Sequence, residues 1–166
     1  VEAITVDAPH ATCSAFIREL RNLPYYEQKC FQASVFTAPT LEQQMYRLTG
    51  VWFGIPFSKT FIAVPTRCGG FHSVQHHGDF ERSLPMPFRV HVSGGFKLLG
   101  TGAASRTRVV HYERYGWPAV LPLALVPHVP FKRWLRNGMV VEMRLLKSQM
   151  EALDEHINSG GDGAAR

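Results

Sequence analysis

The sequence predicts a single α+β domain in which an antiparallel β-sheet packs against a long C-terminal helix. Between residues 30 and 116, runs of alternating apolar and polar residues are separated by turn sequences, as in a β-meander. After Pro130, apolar residues recur at steps of three and four, which is the pattern of an amphipathic helix. The chain has 166 residues, 45% of them hydrophobic, which suits one domain with a substantial core.

The N-terminal segment predicts a strand followed by a short helix. Residues 4–6 alternate as in a half-buried strand. Asp7 and Pro9 then suit a helix start, with the Asp7 carboxylate accepting from free backbone N–H groups. The sequence at 22–24 breaks this helix, and a turn or second short helix continues through Tyr26 and Glu27. The apolar face of the first helix consists of Cys13, Phe16, Ile17 and Leu20.

The central part of the chain predicts six strands joined by turns. The strand at 86–98 is the clearest, because its apolar residues occupy even positions and its polar residues odd ones. Such alternation is typical of an antiparallel sheet with one solvated face. The predicted strands are 30–37, 42–53, 57–66, 70–77, 86–98 and 104–116. The breaks between them are 38–40, 54–56, 68–70 and 100–102, with a longer connection at 78–87.

The last third of the chain predicts an apolar segment followed by a long helix. Residues 117–130 are apolar but carry four prolines, so they cannot form one regular helix. The helical apolar stripe then runs from Phe131 to Ile157, and we expect the helix to end near Asn158. The predicted domain is therefore 1–157, followed by a flexible tail at 158–166.

Charge and cysteine content narrow the expected partners. Lys and Arg outnumber Asp and Glu by 18 to 13, which gives a formal net charge of +5 and favours acidic partners. Because these basic residues are scattered along the chain, nucleic acid is not expected as a partner. Three cysteines without close spacing fit a reducing cytoplasm. No apolar run approaches the roughly 20 residues that span a bilayer, and the first residues lack a secretory pattern.

The order of these elements resembles the START-related helix-grip superfamily (SRPBCC), which includes polyketide cyclase/dehydrase-like bacterial proteins. Residues 4–9 are similar to the strand that opens the first helix of that superfamily, and residues 20–26 to the segment that closes it. Residues 107–113 are similar to its last strand, and residues 143–147 lie inside its long helix.

The resemblance implies a helix-grip fold, with a curved antiparallel sheet wrapped around the C-terminal helix and an apolar cavity between them. It implies that a hydrophobic small molecule binds there, and, in an enzyme, aldol-type cyclisation or dehydration of a polyketide-like substrate. The alternative is a non-catalytic lipid or quinone carrier with a membrane-touching flap at 117–129. The larger partner would be either an acyl carrier protein or an anionic membrane surface, and the chain is expected to be a monomer or homodimer without a cofactor.

Strand parity selects two catalytic candidates on the last strand. The arginines on this strand occupy even positions and belong on the solvated face, so odd positions should face the helix. His111 would then act as general acid or base, and Glu113 would orient it. A buried carboxylate needs a donor, for which His111, Tyr115, a neighbouring arginine or a ligand are candidates. The alternatives are a hydrogen-bonded polar pair without catalytic function, or a bulge that turns both side chains to solvent.

Residues on the same predicted interior could line the ligand site, and plain core packing is the alternative for each of them. Tyr46 should face inward while its neighbour Arg47 faces solvent. The basic start of the long helix, at Lys132, Arg133 and Arg136, would suit an anionic headgroup beside the flap. The alternative is that the flap closes one end of the cavity and these cations are only solvated. The predicted ligand-binding residues are Tyr46, Phe88, Val90, Val109, Tyr115, Trp117, Trp134, Met139 and Met143.

Histidine spacing does not indicate a metal site. His72 and His76 have the spacing of helical ligands, but they fall on a predicted strand. There they would lie about 13 Å apart, too far to bind one metal ion. We therefore predict no metal.

Overall fold

The computed structural model describes residues 1–28, 30–36, 43–52, 55–76, 91–116 and 128–160. Its first elements are β1 (Glu2–Val6), α1 (His10–Arg18), a 3-10 turn (Leu20–Asn22) and α2 (Leu23–Tyr26). Six strands follow: β2 (Cys30–Phe36), β3 (Gln44–Trp52), β4 (Ile55–Pro65), β5 (Phe71–Gln75), β6 (His91–Gly100) and β7 (Thr107–Gly116). The last element is α3 (His128–Gly160).

The strands form one antiparallel seven-stranded sheet in the order β1-β7-β6-β5-β4-β3-β2. The predicted meander is confirmed, with β1 added to its far edge beside β7. One predicted break is too long, because Pro56 pairs with Val51 and Ile55 with Trp52. Proline is tolerated there because, within the described residues, this end of β4 pairs only with β3.

The predicted cap of α1 is wrong. The residue before the helix is Pro9, and no side chain caps it. The Asp7 carboxylate instead accepts from Arg106 Nε at 2.7 Å and lies 3.4 Å from Lys147 Nζ. These two cations hold the pKa of Asp7 below its usual range. Asp7 therefore joins the segment before α1 to Arg106, which precedes β7, and to Lys147 on α3. Charged side-chain donors are stronger partners for a carboxylate than neutral backbone N–H groups.

Helix α3 starts before Pro130, at His128, and continues past the predicted end to Gly160. A proline in the first helical turn costs no intrahelical hydrogen bond, because the first N–H groups have no acceptor. The helix packs on β1, α1 and α2. The shared core between helix and sheet includes Val6, Ile17, Leu98, Val109, Leu146 and Met150. We call the side of the sheet that carries Leu98 and Val109 the interior face.

Parts of several predictions lie outside the described residues. They are the strand ends at 37, 42, 53 and 77, the break at 38–40, the connection at 78–87, the start of the strand at 86–98, most of the apolar segment at 117–129 and the end of the tail at 158–166. Within the described residues, no helix has the length and apolarity to cross a membrane.

Strands β5 and β6 approach closely at two glycines. A Cβ on Gly70 would overlap the Phe96 carbonyl, and a Cβ on Gly95 would overlap that of Phe71. Backbone cannot rotate away as a side chain can, so a methyl group here must push the strands apart. We expect Gly70→Ala to lower the free energy of unfolding by about 1–3 kcal/mol, measured by urea denaturation.

Gly100 provides the matched control, because a Cβ there meets nothing within 4 Å. Gly100→Ala should change the free energy of unfolding by less than about 0.5 kcal/mol. Equal stability of the two variants would contradict the close approach of β5 and β6.

Candidate functional site

Strand β7 places the two catalytic candidates on the interior face. Thr107, Val109 and His111 are buried, and Glu113 is partly buried, whereas Arg108 and other even-numbered arginines are exposed. The observed parity is the predicted one. The interior-facing polar groups of β7 therefore lie between the sheet and the helices.

Glu113 connects the polar side chains of β7. The Tyr115 hydroxyl donates to Glu113 Oε2 at 2.6 Å. His111 Nε2 lies 3.8 Å from Glu113 Oε1, within ion-pair distance if the imidazole is protonated. The side chains of His111 and Glu113 are only 7% and 12% exposed. Of the donors predicted for Glu113, Tyr115 therefore makes the hydrogen bond, and His111 is positioned for a charge interaction.

The imidazole of His111 is fixed by aromatic packing. Phe96 lies opposite it in the β6–β7 register, and the two rings stack with centroids 4.3 Å apart and planes 13° apart. Tyr26 of α2 meets the Phe96 ring edge-on at 5.8 Å. Such contacts restrict the ring orientation of a general acid or base.

Three tyrosines and three glutamates converge in the interior, and we call them the tyrosine–glutamate cluster. Burial and nearby carboxylates raise the pKa of each tyrosine, so the phenols stay protonated as hydrogen-bond donors. For Tyr115 the principal cause is burial, and the charge of Glu113 adds to it. For Tyr46 burial again dominates, and a hydrogen bond with Ser73 opposes it. The cluster consists of Tyr26, Tyr46, Tyr115, Glu27, Glu113 and Glu142.

Glu142 is a member that sequence reasoning missed. It lies on α3 and is only 2% exposed. The signal was present in the sequence, because Glu142 falls between Met139 and Leu146 at the steps of three and four that define the buried stripe. A carboxylate at such a position is expensive to bury and therefore indicates a polar interior.

The floor of the interior beside Glu113 consists of small residues. Glu113 pairs with Gly94, Gly94 with Ser73 and Ser73 with Ala63, so these four positions form one row across β7, β6, β5 and β4. Directly paired residues of antiparallel strands project from the same face. The row past Glu113 thus has no bulky side chain, and all three small residues are buried.

Two further polar residues face the interior without having been predicted. Lys59 is 6% exposed and pairs with Leu48, a core residue, so its side chain shares the interior face. Burial lowers the pKa of Lys59. Gln75 is 2% exposed and pairs with Phe61, another core residue. The inward orientation of Lys59 could have been predicted, because it alternates with the apolar Phe57 and Phe61. The orientation of Gln75 could not, because apolar residues occur at both odd and even positions of its strand.

The structure places the predicted lining residues unequally. Of those described, Tyr46, Val109, Met139 and Met143 are buried, Tyr115 is partly buried, and Trp134 is 39% exposed. Phe88, Val90 and Trp117 lie outside the described residues. Tyr46 pairs with Phe61 across β3 and β4, and their rings stack with centroids 5.3 Å apart.

The outer face of the sheet carries a separate polar group. His72 Nδ1 lies 3.0 Å from the Tyr112 hydroxyl, and the two rings stack over Gly95, which pairs with both residues. His76 is exposed. Across the described ranges, no three His, Cys, Asp or Glu side chains are grouped as metal ligands.

The interior is apolar around Leu98, Val109, Leu146 and Met150, and polar around Glu113. Its polar part combines an imidazole, phenol donors and carboxylates in a largely water-excluded setting, where hydrogen bonds and charges act strongly. Such a site can hold an apolar molecule with carbonyl or hydroxyl groups, and it can move protons on that molecule.

Solved structures share this architecture. The Zhui aromatase/cyclase from Streptomyces sp. R1128 matches with a TM-score of 0.70 and 15% identity, covering 90% of this chain and 91% of that one. A START superfamily protein from Mycobacterium smegmatis matches with a TM-score of 0.66 and 13% identity, covering 92% and 96%. The di-domain ARO/CYC BexL from the BE-7585A biosynthetic pathway matches with a TM-score of 0.67 and 20% identity.

The alignment with BexL includes 90% of this chain but only 45% of BexL, so this chain spans about half the length of that di-domain protein. No protein-family model matches the chain, and no curated protein matches it. The chain therefore has the START-like helix-grip fold that its sequence resembles, with a seven-stranded antiparallel sheet and a long C-terminal helix. Identities this low establish the fold alone.

Proposed function

We propose that the protein binds a poly-β-keto compound between the sheet and α3 and catalyses its aldol-type cyclisation and dehydration. The carrying observation is the interior-facing series Tyr115–Glu113–His111, in which the carboxylate accepts from the phenol at 2.6 Å and lies 3.8 Å from the imidazole. Fold similarity to aromatase/cyclases agrees with this proposal.

Proton abstraction is the role of His111. The neutral imidazole removes a proton from a carbon between two carbonyl groups, which leaves an enolate and an imidazolium. Glu113, at 3.8 Å, stabilises the imidazolium, and its hydrogen bond from Tyr115 holds the carboxylate in place. Tyr46, a buried phenol that stays protonated, donates to the enolate oxygen.

Ring closure follows from holding the chain folded. The enolate carbon attacks a second carbonyl carbon, a C–C bond forms, and the resulting alkoxide takes the proton from the His111 imidazolium. The small residues Gly94, Ser73 and Ala63 leave the floor beside Glu113 low enough for a bent chain. Removal of a further α-proton by His111 then expels the hydroxyl group as water.

A synthetic tri-β-keto thioester tests this proposal. The protein should accelerate conversion to a ring product lighter by one water, followed by liquid chromatography and mass spectrometry against the spontaneous reaction. Glu113→Gln should lower the accelerated rate by about tenfold or more, because a neutral amide stabilises the imidazolium less. Arg108→Gln changes an exposed residue of the same strand and should leave the rate unchanged.

A rate equal to the spontaneous one would contradict catalysis. Native mass spectrometry of freshly purified protein then decides what the interior holds. A retained lipid or quinone, released by solvent extraction, would replace the enzyme proposal by the carrier alternative.

A further inference from the structure

Lys59 is a buried nucleophile that the proposed cyclisation does not use. It lies on β4 opposite Leu48, projects from the interior face and is 6% exposed. Lysine is rarely buried, because desolvation penalises its charged form. A lysine held in this setting is the type that enzymes use as an amine nucleophile towards carbonyl groups.

Gln75 supplies a hydrogen-bond donor close to this amine. Gln75 pairs with Phe61, which lies two positions along β4 from Lys59, so the two side chains are diagonal neighbours on the interior face. Such neighbours have Cα atoms about 7–8 Å apart. One small compound on the interior face can therefore lie next to both side chains.

The amide of Gln75 has a fixed orientation. Its Oε1 accepts from the Val92 backbone N–H at 3.3 Å, which directs Nε2 elsewhere in the interior. Gln75 is 2% exposed, and within the described residues Nε2 has no hydrogen-bond partner. A buried amide donor without an acceptor is costly, so its position indicates where a ligand oxygen belongs.

We propose that Lys59 captures 1,3-dicarbonyl compounds covalently, as an enaminone whose remaining carbonyl oxygen accepts a hydrogen bond from Gln75 Nε2. This inference rests on the proposed function in one respect, because both place a poly-β-keto chain in the interior. It adds a covalent anchor and names the dicarbonyl unit as the group that is recognised.

The chemistry of the anchor balances without any further reactant. The neutral amine of Lys59 adds to one carbonyl carbon to give a carbinolamine, which loses hydroxide to give an iminium ion; the proton released in the next step converts this hydroxide into water. Loss of a proton from the carbon between the two carbonyls gives the neutral, conjugated enaminone. One amine and one diketone thus become one enaminone and one water, and addition of water reverses the step. Burial favours the reaction because it lowers the pKa of Lys59 and so raises the neutral fraction.

Acetylacetone is the probe that tests this anchor. At neutral pH the wild-type protein should gain the near-ultraviolet absorption of an enaminone, and its intact mass should rise by one acetylacetone less one water. Lys59→Met keeps a buried chain of similar size without the amine, and the adduct should fall by at least about tenfold. Lys97→Met removes an exposed lysine and should leave the adduct unchanged.

Peptide mapping makes the test independent of variant folding. Among the five lysines of the chain, the modified one in the wild-type protein should be Lys59. Modification at another lysine, or no saturable adduct at neutral pH, would overturn the proposal. Gln75→Leu should still form the adduct but require about three- to tenfold more acetylacetone, as expected for one lost hydrogen bond.

The His111→Ala variant separates this inference from the proposed function. The amine of Lys59 does not need the imidazole, so the adduct should persist in this variant while cyclisation is lost. Cyclisation without an adduct would overturn the covalent anchor alone. In the wild-type protein, an adduct without any acceleration of cyclisation would support the anchor and contradict the catalytic proposal.

Discussion

His111→Ala should lower the rate of cyclisation by about 100-fold or more, because a positioned general acid or base contributes factors of this size. The imidazole is buried, stacked on Phe96 and 3.8 Å from the Glu113 carboxylate, so no solvent group can replace it readily. The measurement is the initial rate of ring formation from the tri-β-keto thioester. The free energy of unfolding is measured in parallel to show that the variant is folded.

His72→Ala is the matched control for this effect. His72 is also stacked on an aromatic ring and hydrogen-bonded to a tyrosine, but it lies on the opposite face of the same sheet. Its removal should leave the cyclisation rate within about twofold of wild type, since its side chain packs on Tyr112 on the opposite face from His111. A His111→Ala variant that is folded and as active as His72→Ala would refute the assignment of His111 as the base.

Leu146→Ala should lower the free energy of unfolding by about 2–5 kcal/mol. Leu146 is fully buried in the core where α3 meets the sheet, so the substitution loses transfer free energy and leaves a cavity. Denaturation in urea measures the effect, and an unchanged slope would show that the unfolded state is unaltered.

Leu99→Ala removes the same atoms from the opposite side of the sheet. Leu99 is 44% exposed and follows the buried Leu98 on β6. We expect a loss below about 1 kcal/mol, because this side chain is half solvated in the native state. A loss as large as that of Leu146→Ala would mean that α3 does not cover the face of the sheet described here.

The fold and part of the site could be predicted from the sequence, because on β7 the positions of charged residues and the two-residue alternation of a strand indicate the same interior face. On β7 the exposed arginines at even positions required His111, Glu113 and Tyr115 to face inward, and they do. The partner of Glu113 could not be chosen from parity, because hydrogen bonding depends on side-chain torsion angles. Other polar residues of the interior were not predicted, because each is a single polar residue within an otherwise apolar stripe. Glu142 on α3 is an example.

The local rule for helix capping gave a wrong prediction for Asp7, because residues distant in the sequence bind its carboxylate instead. Asp7 was expected to cap α1, but Arg106 and Lys147 approach it from distant positions in the sequence. No local pattern contains those partners. The same reason applies to Gln75, whose surroundings are set by the registers of β4 and β6.

The strand order has a consequence for how the chain acquires its site during synthesis. Strands β2 to β6 each pair with the next strand along the chain, so this part of the meander can form as it leaves the ribosome. β1, although made first, must wait for β7 at the other end of the meander, and α3 follows later still. Because His111, Glu113 and Tyr115 all belong to β7, and Glu142 to α3, a nascent chain has a sheet before it has a site. Ligand binding between the sheet and α3 should therefore begin only after α3 has been synthesised and has packed on β1.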